Sequence, residues 1–378
     1  MPSAEPVRPV RPAVATPAHQ RAAVLHGPRD LRVSDRPVPV PGPGQVLVRV
    51  AAVGLCGSDL HYYADGRNGP NVLRQPTVLG HEASGVVLAT GPGADRHALG
   101  TPVAVEPAHP CGRCAACRSG RYHQCPRGTC FGSPPTDGAL SERVLVPEDF
   151  VHPLPEGLAV REGALVEPLA VAVHAVRRAG VTVGDRVLVT GAGPIGLLVL
   201  QVALAAGAAA VEVSDVSAAR LRCAAGLGAS AVHDAAELPP GPAATLADPA
   251  GFDVALDCSG NATALAAGLT RLRPGGTAVV VGNPTSDTTA LPLAWAQRQE
   301  ITLTTAFRYS AGDFPAAVAL AASGRVRLAE LVTATFPLEQ APQALETALT
   351  DRDQLKVLVV PGRSPAAGAA TTAKEARS

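Results

Sequence analysis

From Ala22 to Val105 short apolar runs alternate with glycine and proline: AAVL at 22–25, PGPGQVLVRVAAVG at 41–54 and GVVLAT at 85–90. Runs of this length between tight turns predict a β-rich unit. Beyond Gly180 the rhythm changes. RVLVT (186–190), AVEVSD (210–215), FDVALDCSG (252–260) and TAVVVGN (277–283) are apolar strand candidates, separated by alanine-rich helical stretches such as 194–206. Strands alternating with helices predict a doubly wound parallel sheet, which makes the fold class α/β. After Phe307 come a helical stretch at 314–323, a strand-like TATFPL and a final KVLVV, a segment that could return to the first unit. There is no internal repeat.

A chain of 378 residues is long enough for two units, each with its own core. Lysine plus arginine equal aspartate plus glutamate at 32 each, so no global field draws nucleic acid or an anionic membrane. Only Lys356 and Lys374 are lysines. Residues 187–211 carry no charge and are long enough to span a bilayer. Three glycines and a proline in the first third of that stretch fit a strand, a turn and a buried helix better, so no membrane partner is expected. Residues 1–20 are rich in proline and alanine and lack a continuous apolar core. They read as a disordered tail rather than a secretory signal, and the cytoplasm is the expected compartment. Eight cysteines in a large chain without an export signal favour metal ligation over a disulfide framework.

Cys111, Cys114, Cys117 and Cys125 form C-x2-C-x2-C-x7-C, a spacing that packs four thiolates around one tetrahedral zinc. An iron–sulfur cluster or four unligated thiols are the weaker readings of the same count. Four protein ligands leave no open position, so this metal is expected to be structural. A second candidate site is open. GLCGSDLHYYADG (54–66) supplies Cys56, and LGHEASG (79–85) supplies His81 and Glu82 among glycines that permit tight bends. Three ligands and a water make the catalytic zinc arrangement. Glu167, before a proline at an expected helix start, is either a further ligand or a solvated N-terminal carboxylate. Zinc on a hydroxyl oxygen stabilises the alkoxide, after which hydride can leave carbon. Ser58 and His61 lie near Cys56 as proton-relay candidates, and Asp59 could orient a ligand histidine.

Gly191-Ala-Gly193-Pro194-Ile195-Gly196 follows the strand RVLVT and opens a helical run, and Asp215 closes the next strand. A glycine triplet alone is weak evidence; the full strand, turn, helix, strand and acid context marks a dinucleotide site. The pyrophosphate is expected on the helix N-terminus. Asp215 suits the ribose hydroxyls of NAD and repels a 2′-phosphate. Arg220 can pair with that phosphate or lie along the adenine, which leaves NADP open.

The segments CGSDLHYY, LGHEASG, EPLAVAVHA, GAGPIG, SDVSAAR and AFRYS, with the four-cysteine loop, resemble the zinc-containing medium-chain dehydrogenase family. Within it they resemble the sorbitol and L-idonate 5-dehydrogenase branch, over residues 22–360. The resemblance implies a GroES-like catalytic unit (21–166 and 307–361) interrupted by a Rossmann NAD(P)-binding unit (167–306), between tails at 1–20 and 362–378. It implies two zinc ions per chain. Cys56, His81 and either Glu82 or Glu167 would hold the catalytic one, the other glutamate contacting its water. Tyr62, Phe131, Arg308 and Tyr309 match substrate-pocket positions, and Ile195, Asp215, Arg220, Val281, Gly282 and Asn283 match cofactor contacts. Many simple alcohol dehydrogenases have cysteine where Glu167 stands, so the carboxylate points to a small polyhydroxylated substrate. The first expectation is NAD-linked oxidation of L-idonate to 5-keto-D-gluconate. Sorbitol, xylitol or an amino-cyclitol is the alternative substrate, and a non-catalytic nucleotide- or metal-binding protein the alternative class. Relatives are commonly tetramers, so a homo-oligomer is expected. The loop 64–76 adds Arg67 and Arg74, read as solvated.

Overall fold

The computed structural model describes residues 17–237, 251–284, 286 and 288–362. The chain divides into two compact units, Met1–Glu167 with Leu328–Ser378, and Pro168–Arg327.

The first unit is built on a seven-stranded sheet with Gln45–Gly54 at its centre. That strand pairs antiparallel with Glu82–Thr90 on one side and with Lys356–Val360 on the other. Val, Leu and Ile-type β-branched or apolar runs suit such buried strands, and all five residues of Lys356–Val360 are buried. The KVLVV segment therefore does return to the first unit, where Val332–Pro337 runs parallel beside it. Val46, Val48, Val53, Leu140, Phe336 and Val359 belong to the core packed beneath.

The second unit is a six-stranded parallel sheet. Its order is Ala231–Asp234, Ala210–Asp215, Arg186–Thr190, Phe252–Asp257, Leu272–Val280, Thr302–Thr305. In chain order this is 3-2-1-4-5-6, the Rossmann arrangement. Arg186–Thr190 and Ala210–Asp215 coincide with the runs marked in the sequence. The two edge strands, AVHD and TLTT, escape that reading because they are four residues long and at least half polar. The uncharged stretch 187–211 resolves into strand, turn and the helix Pro194–Ala206, which buries Gly196 through Ala203. Among the described residues no helix is long and apolar enough to cross a membrane.

Two boundaries differ from the sequence expectation. His19 and Gln20 are not tail: they begin the strand His19–Gly27, paired with Pro37 and Arg36. Of the other residues expected in the tails, 1–16 and 363–378 lie outside the described residues. Residues 307–327, expected with the first unit, cluster with the second. The cause is polar. Asp313, at the start of the helix Asp313–Ala322, accepts from His174 Nδ1 (2.8 Å), from Arg177, and from the Ser310 amide and hydroxyl (2.7 and 2.8 Å). Arg325 and Arg327 add bonds to the carbonyls of Ala205 and Gly226.

Burial alone would raise the Asp313 pKa, but the donors around it prevail and hold it at about 2, below its ordinary 3.8. A depressed carboxylate stabilises the fold above its unfolded pKa and ceases to as pH falls through the folded one. The gap corresponds to roughly 2 kcal/mol. Wild type is expected to lose about that much stability between pH 4 and pH 2, in urea unfolding, beyond the loss seen in Asp313→Asn. Identical acid profiles for the two proteins would contradict this assignment.

Candidate metal centre and nucleotide site

Cys56 and His81 come from loops 25 residues apart, and one buried carboxylate joins them. Asp59, fully buried in the helix Gly57–Asp65, accepts the Cys56 amide on Oδ2 (3.0 Å) and the Gly80 amide on Oδ1 (3.2 Å). The first bond is half of a capping box that starts the helix at Cys56. The second fixes the turn before His81, where Gly80 has φ 90° and an added Cβ would lie 2.7 Å from Val53. His81 Nδ1 stands 3.6 Å from Asp59 Oδ1, buried and without a hydrogen bond among the described residues. Asp59 thus fixes the backbone beside both Cys56 and His81.

Cys56, His81 and Glu82 bring their ligand atoms within 4.8 Å of one another. Burial disfavours a charged His81, yet the neighbouring Asp59 carboxylate and Cys56 thiolate outweigh it and raise its pKa well above the ordinary value. A cysteine sulfur, an imidazole and a carboxylate gathered in one cluster are a donor set that zinc fits. Glu167 is buried in the first turn of the helix Val166–Ala179 but lies outside this three-residue cluster.

Lys356 has no role among the sequence expectations. Its ammonium is buried, donating to both Glu82 oxygens (2.8 and 2.7 Å) and to the Leu55 carbonyl (3.1 Å). Burial opposes that charge, but Glu82, Cys56 and Glu167 around it prevail and raise its pKa. A signal was present: it is the one lysine of residues 1–373, and it opens an otherwise apolar strand. Glycine completes the arrangement. Glu82 lies opposite Gly54 in the ladder, and a Cβ on Gly54 would come within 2.1 Å of Glu82 Oε2.

The four-cysteine loop closes on itself, with ligand atoms also within 4.8 Å. The Cys114 sulfur lies 3.4 Å from that of Cys117 and 3.8 Å from that of Cys125, and Cys111 lies 4.0 Å from Cys117. The Arg113 amide and the Arg127 guanidinium, 3.4 Å from Cys111 Sγ, hold the Cys111 thiol down at about 5. Four sulfurs of this kind fit a closed zinc site.

In the second unit the glycines behave as a dinucleotide turn requires. Gly191 has φ 93°, and a Cβ on Gly196 would meet the Gly191 carbonyl at 1.8 Å. Gly193 caps the helix whose first residue is Pro194, and a Cβ there would meet nothing. Asp215 accepts from the Ala192 and Ser217 amides (2.6 and 2.8 Å), which aims its carboxylate at the turn. A cavity of about 270 Å³ opens beside it, lined by Gly191, Asp215, Ser259 and Asn261 among others. Ile195, Arg220, Val281, Gly282 and Asn283 do not line it. Val281 and Gly282 donate to the Asp257 carbonyl, a bend from which Asn283 follows, and the Arg220 amide donates to Ser217 Oγ.

The remaining expected residues are placed unevenly. Ser58 is half-buried and His61 exposed, 3.9 Å from Asp65. Tyr62 and Phe131 are buried in the core of the first unit. Tyr309 is equally buried in the second, edge-on to Phe314, and Arg308 stacks over Phe307 with its backbone at φ 52°. Arg67 bonds to the Gly69 carbonyl and Arg74 is exposed, as solvated loop residues.

Residues 42–156 match the model of the alcohol dehydrogenase GroES-like domain, and residues 194–323 that of the zinc-binding dehydrogenase. The chain is 38% identical to the sorbitol dehydrogenase of Bacillus subtilis (strain 168), over 92% of this chain and 99% of that protein. It is 40% identical to the probable D-xylulose reductase A of Emericella nidulans, over 92% and 98%. Its fold is similar to the crystal structure of L-idonate 5-dehydrogenase from Escherichia coli, with TM-score 0.84 and 30% identity over 90% of this chain and 98% of that one.

Replacing Gly54 by alanine is expected to push Glu82 off Lys356 and to cost about 1–3 kcal/mol, the usual penalty of overpacking. Wild-type stability of Gly54→Ala in thermal or urea unfolding would contradict this packing.

Proposed function

Since the chain belongs to the zinc-binding alcohol dehydrogenase family, as an oxidoreductase acting on CH–OH groups with zinc and a nicotinamide cofactor, we propose that it oxidises a secondary hydroxyl of a small polyol. The convergence of Cys56, His81 and Glu82 within 4.8 Å carries this reading, because three ligands leave a position open to a substrate oxygen. Glu82 is the third ligand in this proposal, and Glu167 stays beside the site. Cys111, Cys114, Cys117 and Cys125 hold a second, structural zinc.

Zinc at the open site supplies Lewis acidity toward the hydroxyl. The residues do the rest. Asp59 keeps the Cys56 and Gly80 amides in place, so both ligand side chains hold their positions. Ser58 and His61 stand at i and i+3 on one helix. They form the path by which the hydroxyl proton leaves, with exposed His61 releasing it to solvent. Gly191, Gly193 and Gly196 let the pyrophosphate approach the helix N-terminus, and Asp215 receives the adenosine ribose hydroxyls, favouring NAD.

Sorbitol or xylitol is the preferred substrate class, supported by relatives named sorbitol dehydrogenase and probable D-xylulose reductase at 38% and 40% identity. L-Idonate is the second reading, supported by likeness to the Escherichia coli enzyme of that name. Initial rates of NADH formation with sorbitol, xylitol, L-idonate, an amino-cyclitol and ethanol separate these. The polyols are expected to be turned over at least tenfold more efficiently than ethanol; ethanol as the best substrate would overturn the polyol reading, and L-idonate as the best would select the second one. Asp215→Ala is expected to raise the KM for NAD at least tenfold and to improve NADP use, and an unchanged NAD/NADP ratio would remove Asp215 from the cofactor site.

A further inference from the structure

The Lys356–Glu82 pair is an unusual neighbour for a metal site, because it places a fixed positive charge against one of the expected ligands. Both Glu82 oxygens are within 2.8 Å of the ammonium, so a divalent cation must share that carboxylate with a competitor. The lysine cannot swing away freely. Its third bond, to the Leu55 carbonyl, ties it to the residue before Cys56, and its side chain is 3% exposed. Its backbone is held in the buried final strand, where the Leu55 amide donates to the Val357 carbonyl. Glu82 is held by the same two bonds, in the space left by Gly54, where an added Cβ would lie 2.1 Å from Glu82 Oε2.

Charge counting gives this a direction. With Cys56 as a thiolate ligand, it and the carboxylates of Asp59, Glu82 and Glu167 bring four negative charges, and the Lys356 ammonium one positive. With a divalent cation added the site carries one net negative charge; without the lysine it would carry two, and so would hold the cation more strongly. Without either cation, the carboxylates of Asp59, Glu82 and Glu167 would be buried together with only the His81 imidazole beside them, which a protein interior resists.

We propose that Lys356 is a built-in counter-cation and positioning residue of the Cys56/His81/Glu82 site, holding Glu82 in place when the metal is absent and weakening the site's grip on the metal when it is present. The proposal rests on the zinc reading above. It predicts opposite effects of one substitution on the two states: a lysine that only filled space would, on removal, loosen both.

The test uses the purified full-length chain, zinc-loaded, with zinc counted per chain and its loss to excess EDTA followed in time. Lys356→Met is expected to lose the Cys56-site zinc about tenfold more slowly than wild type, as the loss of one nearby repelling charge implies. After stripping, the same variant is expected to melt below the stripped wild type. Lys356→Arg, which keeps the charge, should restore wild-type behaviour in both measurements, and cobalt substituted at the site should show the wild-type visible spectrum in Lys356→Arg and a shifted one in Lys356→Met. Zinc loss from Lys356→Met as fast as from wild type, or faster, overturns the proposal. If Lys356→Met does not fold, Lys356→Met/Glu82→Gln, which removes both charges of the pair, is expected to fold again; continued failure to fold would mean that Lys356 acts by packing, and overturns it too. A wild-type chain that never takes up a second zinc defeats the zinc reading itself, a result distinct from two zincs with unaltered release in Lys356→Met.

Discussion

The contact on which the first unit depends is the buried ion pair between Lys356 and Glu82, residues 274 positions apart. Ions taken out of water are costly unless each finds its partners at good distance. Here both carboxylate oxygens and the ammonium are satisfied, but only if the final strand returns beside Gln45–Gly54 and only if residue 54 is glycine. Sheet register, one absent side chain and a lone lysine are thus parts of a single arrangement. Asp59 does the corresponding work on the other side, binding the amides that precede His81 and begin at Cys56.

Much of this was legible in the sequence, for identifiable reasons. The central strands of the parallel sheet are continuous apolar runs, so RVLVT and AVEVSD announce themselves. The four-cysteine motif is legible because metal chemistry restricts residue type and spacing together, and its sulfurs converge as that spacing implies; Cys56 and His81 converge as the resemblance implies, with Glu82 as the glutamate beside them. Glycine-rich turns are legible where no other residue fits, as at Gly191 and Gly196.

What was not legible depends on long-range contacts. Lys356 looks like the polar start of an apolar strand until the fold sets it against Glu82. The placement of 307–327 is decided by Asp313, whose partners His174 and Arg177 lie more than 130 positions earlier. The choice between Glu82 and Glu167 turns on side-chain position, and both glutamates sit in motifs of equal apparent promise. Tyr62 and Tyr309, expected around a substrate, are buried within their own units. Substrate identity is accordingly the part of the reading least tied to geometry, and the open metal site the part most tied to it.

The open site is tested most directly by counting zinc, by elemental analysis, in the purified chain and in Cys56→Ser. Two zinc ions per chain in wild type and one in Cys56→Ser, with NAD affinity retained and turnover lost, is the predicted result. Two zinc ions and full turnover in Cys56→Ser would contradict it.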